Sequence, residues 1–285
     1  MAGRVDRHRV DGIGPPRAGL LGPWHEGEFA LVRGEIDPAG QWPLAQDWDD
    51  ARSWLQGAAA PEVVLVAQPR PGVWSQEAVD AWQAAAPLSR VVIVAGAWCE
   101  GELRSGRPLA GVLRLYWHQL PAWWRAALRE RSAGRAPRWS EPALRVPAPH
   151  AWPSGARAPS TVAVDAKDVS VLEALSAALG PLGAVCRWTP RGRGDCRGAT
   201  AGVWDGGQLD DAEQIALQAF RGRLPAGASL VALVDYPRVE HWSIARQAGV
   251  AAILGKPYLV ETLIDALGEP ARAEHGTRTR GAAPA

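Results

Sequence analysis

The chain has 285 residues, 47% apolar and 21% charged, enough for two domains with packed cores. A net charge of +1 argues against a dedicated nucleic-acid surface, whose footprint is strongly basic. No apolar run reaches the ~18 residues of a membrane-spanning helix, so no such span is expected.

Residues 1–22 mix Gly, Pro and Arg without a period and are expected to form a loose tail. The polar start lacks the apolar core of a signal peptide. Residues 23–130 form a first globular segment. Within it, residues 29–32 read as a first strand, 62–66 as the third, 90–94 as the fourth and 111–115 as the fifth, with a helix over 75–86. Residues 131–160, dense in Pro, Ala, Arg and Ser, read as a semi-extended linker. A second globular segment spans 161–268, and 269–285 read as a second tail.

In the second segment, strands are expected at residues 161–164, 184–188, 199–204, 230–234 and 251–254. Helices are expected at 169–179, 209–220 (with Ile215, Leu217 and Phe220 on its apolar side), 239–249 and 260–267. Short strands of this kind alternating with helices make an α/β, doubly wound parallel sheet, whose chemistry belongs at the strands' carboxyl ends. That rule selects Asp165, Asp205, Asp235 and Lys256, all at or just past predicted strand ends. Converging acids of this type can hold Mg²⁺, and a lysine opposite an aspartyl phosphate neutralises the added charge.

Lys256 stands out for another reason. Of 31 basic residues only Lys167 and Lys256 are lysines, so a lysine that survives such an arginine bias marks a place where arginine does not serve. Tryptophan is the other anomaly, 15 residues against two phenylalanines, twelve of them before residue 153. Core filling is the favoured explanation, with a ligand platform or Trp-lined partner groove as the rival. Cys99, Cys186 and Cys196 show no metal-type pairing and fit reduced thiols in a cytoplasm.

The segment 161–268 resembles a response-regulator receiver domain of the CheY-like type. The likeness rests on Asp165 after the first strand, Asp205 after the third, and Lys256-Pro257 after the fifth, preceded by Ala248-Gly249-Val250. It implies a flavodoxin-like fold, Asp205 as phosphate acceptor, Lys256 as the phosphate-contacting residue, and a Mg²⁺ site on Asp165 and Asp205. Three positions depart from the pattern: Ala166 replaces the second acid, Val234 the hydroxyl residue after the fourth strand, and bulky Trp204 precedes the acceptor. Asp168 is expected to cap the following helix rather than bind metal. Residues 23–130 are read as a further-diverged, Trp-rich receiver-like interaction domain. It has Ala67-Gln68-Pro69 at the acceptor position and Tyr116-Trp117-His118 at the lysine position.

These readings predict a non-enzymatic signalling protein acting by protein contact, with a histidine kinase or another regulator as partner and a homodimer left open. It either accepts phosphate at Asp205 or works as a phosphorylation-independent pseudo-receiver scaffold. A rival from another class is a hydrolase or transferase using Cys99, Glu100, Glu102 and His118 in the first segment.

Overall fold

The structure, a computed structural model, describes residues 14–56, 60–143 and 159–268. It divides into two compact units, the first over residues 14–143 with 236–239 and the second over 159–235 and 240–268. The first unit runs β1 (Ala18–Leu21), α1 (Gly27–Ile36), β2 (Leu44–Ala45), α2 (Trp48–Ala51), β3 (Val63–Gln68), α3 (Gln76–Ala85), β4 (Arg90–Ala95), α4 (Glu102–Ser105), β5 (Leu113–Tyr116) and α5 (Leu120–Ser132). The second runs β6 (Thr161–Asp165), α6 (Val169–Leu179), β7 (Val185–Trp188), β8 (Ala201–Asp205), α7 (Asp211–Arg223), β9 (Ser229–Val234), α8 (Val239–Gln247), β10 (Ala252–Gly255) and α9 (Val260–Leu267).

Each unit holds a five-stranded sheet in which all pairings are parallel, ordered β2-β1-β3-β4-β5 and β7-β6-β8-β9-β10. This is the doubly wound α/β fold with flavodoxin-like strand order. Parallel strands covered on both faces need continuous apolar runs. Val63–Gln68 and Ser229–Val234 supply them, every residue being buried. Helix starts are fixed locally by side chains that accept an orphan N–H: Ser75 from Ala78, Asp168 from Ser170, and Asp210 from Glu213.

Tryptophan is chiefly core material, as favoured above. Trp24, Trp48, Trp82, Trp117, Trp123, Trp124, Trp139, Trp204 and Trp242 are all buried. In the first unit Trp48 meets Trp74 and Trp82 at ring separations of 6.3 and 5.6 Å. Trp124 stacks on Trp139 at 5.2 Å and meets Trp42 edge-on at 5.0 Å. Trp98 departs from this, 83% exposed.

Several boundaries differ from expectation. The first strand is Ala18–Leu21, inside the stretch expected to be a tail, and residues 29–32 belong to α1. Phe29, Val32 and Ile36 point inward from α1 at helical spacing; a four-residue apolar run does not by itself tell strand from helix. The front of the expected linker also belongs to the first unit. Arg131 pairs with Glu62 at 2.8 Å, Trp139 is buried, and the Arg90 guanidinium donates to the Glu141 carbonyl. Ile215, expected on the buried side of α7, is 68% exposed, while Leu217 and Phe220 are buried. The receiver-like order also lacks one part: residues 189–200, the crossover from β7 to β8, contain no helix. Residues 1–13, 144–158 and 269–285 of the expected tails and linker lie outside the described residues.

Trp139 tests where the first unit ends. Trp139→Ala should lower the unfolding free energy by about 3 kcal/mol, the usual loss for a large aromatic removed from a core. Urea denaturation of the full chain reads it, and a change below ~0.5 kcal/mol would place Trp139 outside the folded unit.

Candidate functional site at the carboxyl edge of the second sheet

Parallel pairing brings the ends of β6, β8, β9 and β10 to one edge. Asp165 pairs in register with Trp204, Asp205 with Leu233, and Gly255 with Val234. Backbone bonds continue past the strands and fix the loops: Gly206 N–H donates to Leu233 O at 2.8 Å, Asp235 N–H to Gly207 O at 2.9 Å, and Lys256 N–H to Val234 O at 3.0 Å. The residue after β10 is thereby aimed at the residue ending β8. Lys256 Nζ donates to Asp205 Oδ1 at 3.1 Å and to Gly206 O at 2.8 Å, and lies 3.0 Å from Asp235 Oδ1. Burial pulls the Lys256 ammonium downward, but hydrogen bonds and charge from Asp235 and Asp205 outweigh it and hold its pKa above the ordinary lysine value.

Asp165, only 1% exposed, has different partners. Arg223, at the end of α7, donates through Nη2 to Asp165 Oδ2. Arg191, from the helix-free crossover, places Nε 3.7 Å from Oδ1. Burial pushes the Asp165 carboxyl up, and Arg191 and Arg223 pull it back in part. Arg191 also donates to the Asp205 carbonyl, stands 3.5 Å from Glu213 Oε1, and lies 4.6 Å above the centre of the Trp204 ring. Glu213 completes the network: Oε1 meets Lys167 Nζ at 2.7 Å, and Oε2 accepts from the Gly207 N–H at 3.0 Å. Burial raises its pKa, yet Lys167, Gly207 and Arg191 together hold it below the ordinary value.

The unusual Trp204 is accommodated by its neighbour. A Cβ added to Gly206 would lie 1.9 Å from Trp204 Cζ3, so the indole occupies the space a side chain at 206 would take. Trp204 is fully buried there.

All four strand-end residues selected from the sequence thus share one edge, but not as one cluster. Asp205, Asp235 and Lys256 meet, whereas Asp165 faces arginine. The residues present do not fit the Mg²⁺ expected on Asp165 and Asp205. That ion needs carboxylate oxygens turned toward it, and here Arg223 bonds Asp165 Oδ2 while the Arg191 guanidinium stands 3.7 Å from Oδ1, which accepts no hydrogen bond. Ala166, in place of the second acid, is fully buried, and Asp168 caps α6 as expected. Among the described residues no group of three His, Cys, Asp or Glu side chains is placed to hold a metal. Sequence reasoning missed Arg191, Arg223 and Glu213, and it singled out Lys167 by its rarity without giving it a partner. The available signal was the stretch 189–200, where a crossover helix was due and Gly and Arg stand instead.

At the corresponding edge of the first unit the acceptor position holds Gln68, 2% exposed. Gln68 donates to Glu102 at 3.2 Å, Arg114 donates to Gln68 Oε1 at 3.3 Å, and Arg114 also pairs with Glu102. Cys99, proposed above as a nucleophile, is fully buried and sits 3.2 Å from the Gln68 carbonyl. Burial pushes its thiol upward despite Arg114, the reverse of activation. His118 is buried between Tyr116, stacked at 5.9 Å, and Trp117, edge-on at 5.7 Å. Burial likewise raises the Glu100 carboxyl.

No protein-family model matches this chain, and no curated protein does. Among solved structures it is similar to a putative pilus assembly-related protein of Burkholderia pseudomallei, at 23% identity over 41% of this chain and 90% of that one, TM-score 0.32. It is also similar to the E. coli RcsC C-terminus, containing a linker region and phosphoreceiver domain, at 14% identity over 87% and 89%, TM-score 0.29. A putative two-component system response regulator/GGDEF domain protein gives 14% identity over 87% and 94%, TM-score 0.29. The strand order stated above, not these likenesses, establishes the fold.

Two measurements probe this edge. Gly206→Ala should destabilise the protein by about 2 kcal/mol, because the added methyl would overlap the buried Trp204 ring; chemical denaturation reads it, and an unchanged midpoint contradicts the packing. The depressed Glu213 pKa means its stabilisation is present above the unfolded glutamate value and disappears as pH falls through the folded one. The stability gap between wild type and Glu213→Gln should therefore shrink as pH falls from about 6 to about 3. A pH-independent gap would show that the Glu213 carboxylate is not paired.

Proposed function

We propose that the second unit is a receiver-like signalling module that works through protein contact without phosphorylation, a pseudo-receiver scaffold rather than an enzyme. The observation that carries this reading is the Asp165 carboxylate, buried and held by Arg191 and Arg223. Phosphoryl transfer to an aspartate needs a cation to neutralise the charge that develops on the moving group. Here the acid that would help recruit it is already paired, and Val234 offers no hydroxyl. The partner class is the one implied by the receiver resemblance, a histidine kinase or another regulator, and the compartment is the cytoplasm, which suits three free cysteines. The first unit, whose acceptor position is Gln68, serves as an interaction module.

One observation favours a second reading, in which Asp205 still accepts phosphate: Lys256 retains its bond to Asp205 at 3.1 Å. The two readings separate in one experiment. Full-length protein and Asp205→Ala are incubated with a small acyl phosphate and Mg²⁺, then weighed by intact mass spectrometry. The scaffold reading expects no phosphate adduct on either protein. An adduct on the wild type that Asp205→Ala abolishes overturns it in favour of a phosphorylated receiver.

A further inference from the structure

We infer that Arg191 and Arg223 are the resident cations of the strand-end site, standing where a divalent ion would act, so that its charge is neutralised by folding rather than by a solute. The inference rests on the receiver-like reading of the second unit and adds the regulation of its site: indifference to divalent metal.

A cation bound between the ends of β6 and β8 would take a carboxylate from β6 and oxygens at the end of β8. Arg191 reaches the same kinds of group: Asp165 Oδ1 at 3.7 Å, the main-chain carbonyl of Asp205, and Glu213 Oε1 at 3.5 Å. Arg223 covers the other Asp165 oxygen. Charge is balanced as well. Four acids stand against four cations in two groups, Asp165 and Glu213 with Arg191, Arg223 and Lys167, and Asp205 and Asp235 with Lys256. Asp165 Oδ1 accepts no hydrogen bond, and Arg191 stands 3.7 Å from it, so a divalent ion entering there would have to displace that guanidinium.

Expulsion is opposed by how the arginines are held. Arg191 lies on the Trp204 ring, which is itself fixed over Gly206. Arg223 donates through Nη1 to the Arg193 carbonyl at 2.6 Å, tying α7 to the crossover that delivers Arg191. Gly192 and Gly194, at φ of 73° and 91°, give that crossover the left-handed turns its path requires. The loop that replaces a helix is thus also the loop that supplies the charge.

The test measures Mn²⁺ binding to full-length protein by water-proton relaxation, with no phosphodonor present. It compares wild type, Arg191→Gln and Arg191→Gln/Arg223→Gln, each checked for folding by circular dichroism. Wild type should show no saturable Mn²⁺ binding in the millimolar range. The double variant should gain saturable binding, which adding Asp165→Asn weakens by at least about tenfold. If the double variant does not fold, Arg191→Gln alone, which leaves the Arg223–Asp165 pair in place, should still bind Mn²⁺ where wild type does not. Saturable binding by wild type that depends on Asp165 overturns the inference, as does a folded variant that gains none. The outcome is separable from the functional reading. A phosphate adduct on a wild type that binds no Mn²⁺ removes the scaffold proposal and leaves the arginine assignment standing.

Discussion

The buried carboxylate of Asp165 is the constraint around which the second unit is arranged. Asp165 ends a strand that lies inside the sheet, between β7 and β8, so its charge cannot reach bulk water. An unpaired ion there would be strongly destabilising, and breaking such a pair from one side costs about 3–5 kcal/mol. The chain meets this with two guanidiniums from separate places, one at the end of α7 and one in the crossover after β7. The crossover that carries Arg191, the Trp204 ring beneath it, the Asp205 carbonyl and Glu213 all meet at this one guanidinium beside that carboxylate. A long, forked, permanently charged side chain suits the task better than lysine, because it meets several oxygens at once while lying flat on a ring.

The first unit meets the same problem with different residues. Glu102 is buried at the edge where Gln68 ends β3, and Arg114 from β5 reaches both. At the carboxyl edge of each sheet a buried acid is met by arginine, Glu102 by Arg114 and Asp165 by Arg191 and Arg223. The composition, with 29 arginines and two lysines, agrees with that division of labour. Lysine is kept at Lys256, where a compact ammonium fits among Asp205, Asp235 and a main-chain carbonyl within 3.1 Å.

What could be read from the sequence was what period and position determine. The helix expected over residues 169–179 and the one over 260–267 agree with α6 and α9 residue for residue, because their apolar spacing is unambiguous and their ends carry stop signals. Asp205 and Lys256 were legible because a strand end is a fixed place in this fold and lysine is rare in this chain. The strand at Ala18–Leu21 was not, since four small or apolar residues amid Gly and Pro give too short a period. Nor were the roles of Arg191, Arg223 and Glu213. Their neighbours lie 26, 58 and 46 residues away along the chain, and nothing local marks one arginine among 29 as the partner of Asp165. Trp204 stood out as too large for its place. The compensation two residues later at Gly206 is a pairing that only side-chain direction reveals.

The missing crossover helix has a consequence for how molecules of this chain avoid one another. β7 is the outermost strand of its sheet, and Val185, Arg187 and Trp188 are exposed along it. An outer strand with free backbone groups and apolar side chains is a template for open-ended strand addition, the route to aggregates. This strand is protected by its own make-up. It has only four residues, a charged Arg187 stands between the apolar ones, and Pro190, which has no N–H to offer, follows almost at once. Where the crossover helix is missing, one cation, one proline and a short strand guard the outer edge of this sheet.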